Sequence, residues 1–529
     1  MRPCTNIVTL VLVFTTTAAQ AYELGTHARL TEAAYSRSIL KDPSFLKQIG
    51  INSADPEPFG FRYYDILGAE ATERERNAFE RRFMPDNAQP LSVAGWLMRG
   101  AIREDDYASA FGTWAAPNPQ DDQDVPRAIW RVMHHFYDPA RDRPLTISAT
   151  CRALYERATG ETADFRRSPD WAMGARDAFT DLNTPEAGRR NHYTIFDARE
   201  AMYRALTGRN RAGAVVATTK EQRDRYWATT FRALGNIVHH LQDMAQPQHT
   251  RNDAHAGVTC FGHESVFEAY IEARATGARS HTIDRQVITP APLDYLGSTA
   301  GYPDGYPLPR VTRYSDFWST NPGAGSAAGL GLADYSNRAF FTAGKNLGTE
   351  EYALPSNNRA AYIPESVEGL LPQFPRQRIH FLRGGSDNIR MTTEGLFDFW
   401  FVNTPPSYSL NRFNYDDQAK LLIPRAVAYG AGMIDYFFRG RLEGEDVAFS
   451  NTGITLRIKN AIDIQKTPAW SNEVLYASTN GRPSSLIISF DYKDAAGTVH
   501  YGVSGPVTMV EGDDIAPGRV SNREYSFSL

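Results

Sequence analysis

Residues 234–249, LGNIVHHLQDMAQPQH, carry the densest chemistry in the chain. His239 and Asp243 are four apart. On a helix they share one face a turn apart, so an imidazole and a carboxylate can hold one cation between them. His249 follows six residues later, past Pro247, where the chain can fold back toward the pair. One such pair is a weak signal, since an i,i+4 His–Asp contact also occurs in ordinary cores. Further ligand types lie on either side of it. Residues 262–270, GHESVFEAY, add His263, Glu264 and Glu268. His263 and Glu264 point apart on a helix, and His263 reaches the same site as Glu268 if it precedes the first turn. Residues 130–139, WRVMHHFYDP, add the adjacent pair His134 and His135, of which one is the expected ligand. Residues 100–106, GAIREDD, offer Asp105 and Asp106, and the segment from Tyr22 to His27 supplies an early histidine. Nine of the twelve histidines fall between His27 and His263, which concentrates metal-ligand chemistry in the first half of the chain.

These residues need a helical frame. Thr219 and Gln222 can form a capping box. After them Trp227, Phe231, Leu234, Val238 and Leu241 recur at spacings of three and four, the stripe of an amphipathic helix that ends before Pro247. Residues 196–206 form a second such segment, with Gly208 as its stop. Residues 275–390 are rich in Gly, Pro, Tyr and Ser and read as long ordered loops around short helices, a loop-rich insertion of a length that is usually functional or disordered. The Gly-rich run at 323–331 lacks the GxGxxG spacing, so no dinucleotide site is expected there. Helical character returns over 416–442. Beyond Glu443 the apolar period becomes two, in Ile454, Leu456 and Ile458, in Leu486, Ile488, Phe490 and Tyr492, and in Tyr525, Phe527 and Leu529. Residues 22–442 are therefore expected to form a mainly α domain, and residues 443–529 a small all-β, sandwich-like domain.

Hydrophobic content of 42% and charged content of 22% are ordinary globular values, which exclude wholesale disorder, a rod or a membrane bundle. A net charge of −5 leaves no basic excess for a nucleic-acid backbone, although metal ions bring their own positive charge. Arg2, the apolar run at 7–14 and Ala19-Gln20-Ala21 together read as a signal peptide over 1–21. The run is too short to span a bilayer. A secreted or periplasmic protein beginning at Tyr22 is expected, and export makes a disulfide between Cys151 and Cys260 plausible.

The motifs and their order resemble the zinc-dependent phospholipase C and single-strand nuclease superfamily. Members are helical, bind three zinc ions, and use the N-terminal amine, an early His, an Asp, a His, then His-x3-Asp-x5-His and His-x3-Asp/Glu. His239, Asp243 and His249 match the central spacing. The resemblance covers residues 22–275, with departures at Tyr22, at the longer step from His263 to Glu268, and at the insertion before His135. It implies that His135, His239, Asp243 and Asp105 hold one zinc. Asp243 would bridge to a second, held by His27 and the amine and carbonyl of Tyr22. His249, His263 and Glu268 would hold the third. It also implies that Asp105 acts on the attacking water. Expected partners are a phospholipid or other phosphodiester and a peripheral membrane surface. A single-strand nuclease, or an exported zinc-binding protein without catalysis, is the alternative.

Overall fold

The computed structural model describes residues 24–51, 92–104, 132–159, 162–163, 165–174, 191, 193–255, 265–276, 306–309, 311–325, 329–349, 351–395, 398, 405–465 and 470–528. Its α-helices, in chain order, are α1 (Leu24–Arg37), α2 (Pro43–Gln48), α3 (Val93–Glu104), α4 (Ala149–Thr159), α5 (Ser168–Met173) and α6 (Ile195–Thr207). They continue with α7 (Lys220–Asp243), the short α8 (Pro247–Thr250), α9 (Val266–Thr276), α10 (Leu332–Ala339) and α11 (Arg412–Phe437).

Helix α7 is the axis of the helical part. Thr219 accepts from the Gln222 N–H at 3.2 Å, and the Gln222 side chain accepts from the Thr219 N–H at 3.3 Å, the expected box. Trp227, Phe231, Leu234, Val238 and Leu241 are all buried. The helix is enclosed on its other faces too, because α3, α6, α1 and α11 pack around it. The α3–α7 contact depends on two glycines. A Cβ on Gly100 would lie 2.0 Å from the Arg232 carbonyl oxygen, and one on Gly235 would lie 2.0 Å from that of Leu97. The two backbones therefore touch, which holds the C-terminal end of α3 beside the histidines of α7. Helix α6 ends at Gly208, whose φ of 67° is the left-handed conformation of a C-terminal stop.

The segment over 275–390 departs from the expectation of loops and short helices alone. It contains α10, but residues 363–409 also build an antiparallel sheet in the order β1 (Ile363–Glu368), β2 (Arg378–Gly384), β3 (Ile389–Glu394) and β4 (Tyr408–Ser409). Leu382, Ile389 and Met391 of this sheet join the helical core. Helix α11 runs from 412 to 437 rather than 416 to 442, and contains Pro424.

From Leu442 onward the chain is all β. A three-stranded sheet has the order β7 (Val520–Ser528), β6 (Gly453–Asn460), β5 (Leu442–Ser450), with short two-stranded sheets beside it. Ile454, Leu456 and Ile458 alternate into a core of their own with Leu486, Met509, Ile515, Tyr525 and Phe527. This is the expected arrangement of a mainly α region followed by a small sandwich-like β unit. Among the described residues, no helix is long and apolar enough to cross a membrane. The signal segment, Leu529 and Cys260 lie outside the described residues, so the pairing of Cys151 falls outside them as well.

Candidate metal centre

The last turn of α7 carries His239, His240 and Asp243, all buried. Adjacent residues on a helix are rotated by about 100°, so His239 and His240 face different neighbours. Three clusters of potential ligands form around this turn: His27, His239 and Asp243; Glu104, His135 and His240; and His249, His255 and Glu268. Within each, one ligand atom per residue lies within 4.8 Å of the others.

Asp243 stands between histidines from three elements. Its Oδ1 is 3.5 Å from His27 Nε2, and its Oδ2 is 3.3 Å from both His239 Nε2 and His135 Nδ1. The rings of His27 and His239 stack with centroids 3.8 Å apart. In the second cluster, Glu104 Oε1 is 3.1 Å from His240 Nε2 and 3.9 Å from His135 Nε2. Trp171 donates to the same oxygen at 2.9 Å, and Asn236 donates to the other. In the third, Glu268 Oε1 is 2.7 Å from His255 Nε2 and 3.5 Å from His249 Nε2. Gln246 also donates to it, at 3.0 Å.

Most of these histidines are held by the opposite ring nitrogen. Nδ1 of His239 meets the Ala101 carbonyl at 2.7 Å, that of His249 the His135 carbonyl at 3.1 Å, and that of His255 the Asp253 carbonyl at 3.0 Å. A carbonyl only accepts, so each Nδ1 carries the proton and Nε2 is turned to its cluster. His27 Nδ1 is 2.6 Å from the Gln242 side-chain oxygen, and Gln242 is fixed in turn by donating to Thr31 at 2.9 Å. His240 Nδ1 is 3.3 Å from Ser168 Oγ, which accepts from Trp318 at 3.0 Å. Such outer partners set the tautomer and ring orientation of metal-binding histidines.

Electrostatics separate the clusters. Burial, reinforced by His239, holds His27 and His135 well below the ordinary histidine range, so both are neutral at pH 7. Burial raises the Asp243 carboxyl. Both of its oxygens are buried and, among the described residues, make no hydrogen bond. A buried carboxylate without hydrogen bonds, beside the neutral imidazoles of His27 and His135, is costly unless a cation joins it. The third cluster differs. Burial by itself would lower His255, but Glu268 outweighs it and lifts the imidazole to about 9. Burial would raise Glu268, yet His255 and His249 bring it down to about 2. The donor set of imidazole nitrogens and carboxylate oxygens fits zinc.

Of the residues singled out from the sequence, His27, His239 and Asp243 lie in the first cluster, His135 in the second and beside Asp243, and His249 and Glu268 in the third. His134 does not join them: its ring stacks on Trp171 at 3.9 Å and its Nδ1 accepts from the Arg166 N–H. Tyr22, Asp105, Asp106, His263 and Glu264 lie outside the described residues, as does His192. Sequence reasoning missed Glu104, His240 and His255. Glu104 stands in the GAIREDD segment, one residue before Asp105, which lies outside the described residues. His240 has no telling spacing to Glu104, and His255 has no local pattern to mark it.

No family model and no curated protein sequence matches the chain. A solved structure of the alpha-toxin of Clostridium perfringens, from an avian strain, is similar across 97% of this chain and 84% of that one. The identity is 12% and the TM-score 0.22. A score of that size assigns no shared fold, and the site stands on its own residues.

Proposed function

We propose that the chain is an exported zinc-dependent phosphodiesterase that cleaves phospholipids in a phospholipase C-like reaction. The observation that carries this reading is Asp243, a buried carboxylate that makes no hydrogen bond among the described residues, set between His27, His239 and His135. Zinc, when bound, supplies Lewis acidity toward water and phosphate oxygens. His27 and Asp243 would hold one ion, joined by the amine of Tyr22 once a leader ending at Ala21 is removed. His135, His239 and Asp243 would hold a second, with Glu104 and His240 beside it. His249, Glu268 and a further histidine would hold the third; His255 is positioned for that role, and His263 was the sequence expectation. Glu104 has its oxygens engaged by Trp171, Asn236 and His240, and the role of orienting the attacking water goes to Asp105, as the resemblance implies. The β unit from Leu442 onward is assigned as a second domain. Its exposed Phe449 and Tyr492 suit contact with a lipid surface.

The test is hydrolysis of a phosphocholine ester, of phosphatidylcholine vesicles and of single-stranded DNA by purified protein, each with and without chelator. Chelator-sensitive cleavage of the first two is expected. Cleavage of DNA alone rejects the lipid reading.

A further inference from the structure

Helix α9 carries two buried carboxylates, Glu268 and Glu272, four apart and so on one face. Glu268 belongs to the third cluster, and the metal reading leaves Glu272 without a role. Its Oε2 accepts from the Thr26 backbone N–H at 2.8 Å and from the Thr26 hydroxyl at 2.7 Å. Thr26 lies in the first turn of α1, where backbone N–H groups have no partner within the helix. A carboxylate there satisfies one of them and is favoured by the helix dipole. The next residue is His27, whose Nδ1 is held by Gln242 and whose Nε2 faces Asp243 Oδ1.

We infer that Glu272 is a positioning residue for zinc at the His27–Asp243 cluster: it clamps the first turn of α1 from α9 and so fixes where His27 points. One face of α9 then serves two clusters. Glu268 is offered as a ligand, and Glu272, a turn further on, anchors the element that bears another. Glu272 is already occupied by Thr26 and acts through the α1 backbone. An uncharged acceptor of the same length performs the same task, whereas a shortened side chain does not.

This inference rests on the metal reading, and its test separates the two. Zinc is titrated into the full-length chelated protein and counted per folded chain for wild type, E272Q, E272A, H27A and H27A/E272A, with helical content checked by circular dichroism. Expected for E272A is weakening at one site by about 10–100-fold, the range for outer-shell partners, with the other sites unchanged. E272Q should titrate within a few-fold of wild type. The double variant should bind no less zinc than H27A alone, because both changes act on one site. Wild-type binding by E272A, or loss of a further ion when E272A is added to H27A, overturns the inference and leaves the metal reading standing. A wild type that binds no zinc overturns both. Should E272A fail to fold, T26V removes one of the two bonds to Glu272, and about tenfold weakening at the same single site is expected. An unchanged titration of T26V overturns the inference.

Discussion

His240 Nε2 lies 3.1 Å from Glu104 Oε1, with both side chains buried, and this contact joins the C-terminal ends of α7 and α3. Neither residue stands out by its spacing to the other. They meet because the two helices cross in backbone contact one to two turns earlier, at Gly100 and Gly235.

That crossing yields the first prediction. Gly235→Ala forces a methyl group against the Leu97 carbonyl, with backbone on both sides and no flexible side chain to yield. Overpacking of this kind costs about 1–3 kcal/mol, or more where backbone must shift. Urea unfolding should show that loss, together with weaker zinc binding as Glu104 moves away from His240. Stability and zinc affinity equal to wild type would contradict the account.

Glu104→Ala should lower zinc affinity by about 10–100-fold at one site, the range for removing an outer-shell partner. Hydrolysis of a phosphocholine ester should fall with it and recover in part at high free zinc. Titration with a zinc indicator gives the affinity, and an unchanged value would remove Glu104 from the centre.

Ser168→Ala takes the Nδ1 partner from His240 and the acceptor from Trp318. The expected effect is about a tenfold loss of zinc affinity, with destabilisation of about 1 kcal/mol from the lost hydrogen bonds. A stability loss without any change in zinc binding would show that Ser168 serves packing alone.

Far from the centre, burial raises Asp435 from 3.8 to about 6, although the Ile39 N–H donates to it at 2.7 Å. The folded protein thus binds a proton more tightly there than the unfolded chain does. The sign follows from linkage: this residue's contribution falls as pH rises from about 4 through about 6, and is fully lost above that. The shift corresponds to about 3 kcal/mol. Asp435→Asn keeps an acceptor for Ile39 and removes the titration. Its Tm advantage over wild type should appear above pH 6 and vanish near pH 4. A difference independent of pH would contradict this.

The legible parts of the site are those written in local spacing. His239 and Asp243 share a helix face because they are four apart, and Pro247 lets the chain turn so that His249 returns. The capping box and the stripe from Trp227 to Leu241 specified α7 itself. The remainder depends on contacts between distant segments. His240 faces away from His239, and only the end of α3 makes that second face a ligand cluster. His255 follows α8 in an irregular stretch, and its role comes from Glu268 on α9. The sheet β1–β4 was obscured because its strands are short and bounded by Gly and Pro, as at Gly384-Gly385 where β2 ends, so turn signals outweighed the alternation in RIHFLRG. The C-terminal β unit was plain in the sequence because its strands have one buried face, as in β6, where Ile454, Leu456 and Ile458 point inward.

The central claim is that these clusters are a metal centre. Its most direct test is the zinc content of purified protein, measured by elemental analysis of the folded chain and repeated with Asp243→Ala. About three ions per chain are expected from the three groups of ligands, with loss of at least one in the variant. A wild-type content of zero after exposure to excess zinc would contradict it.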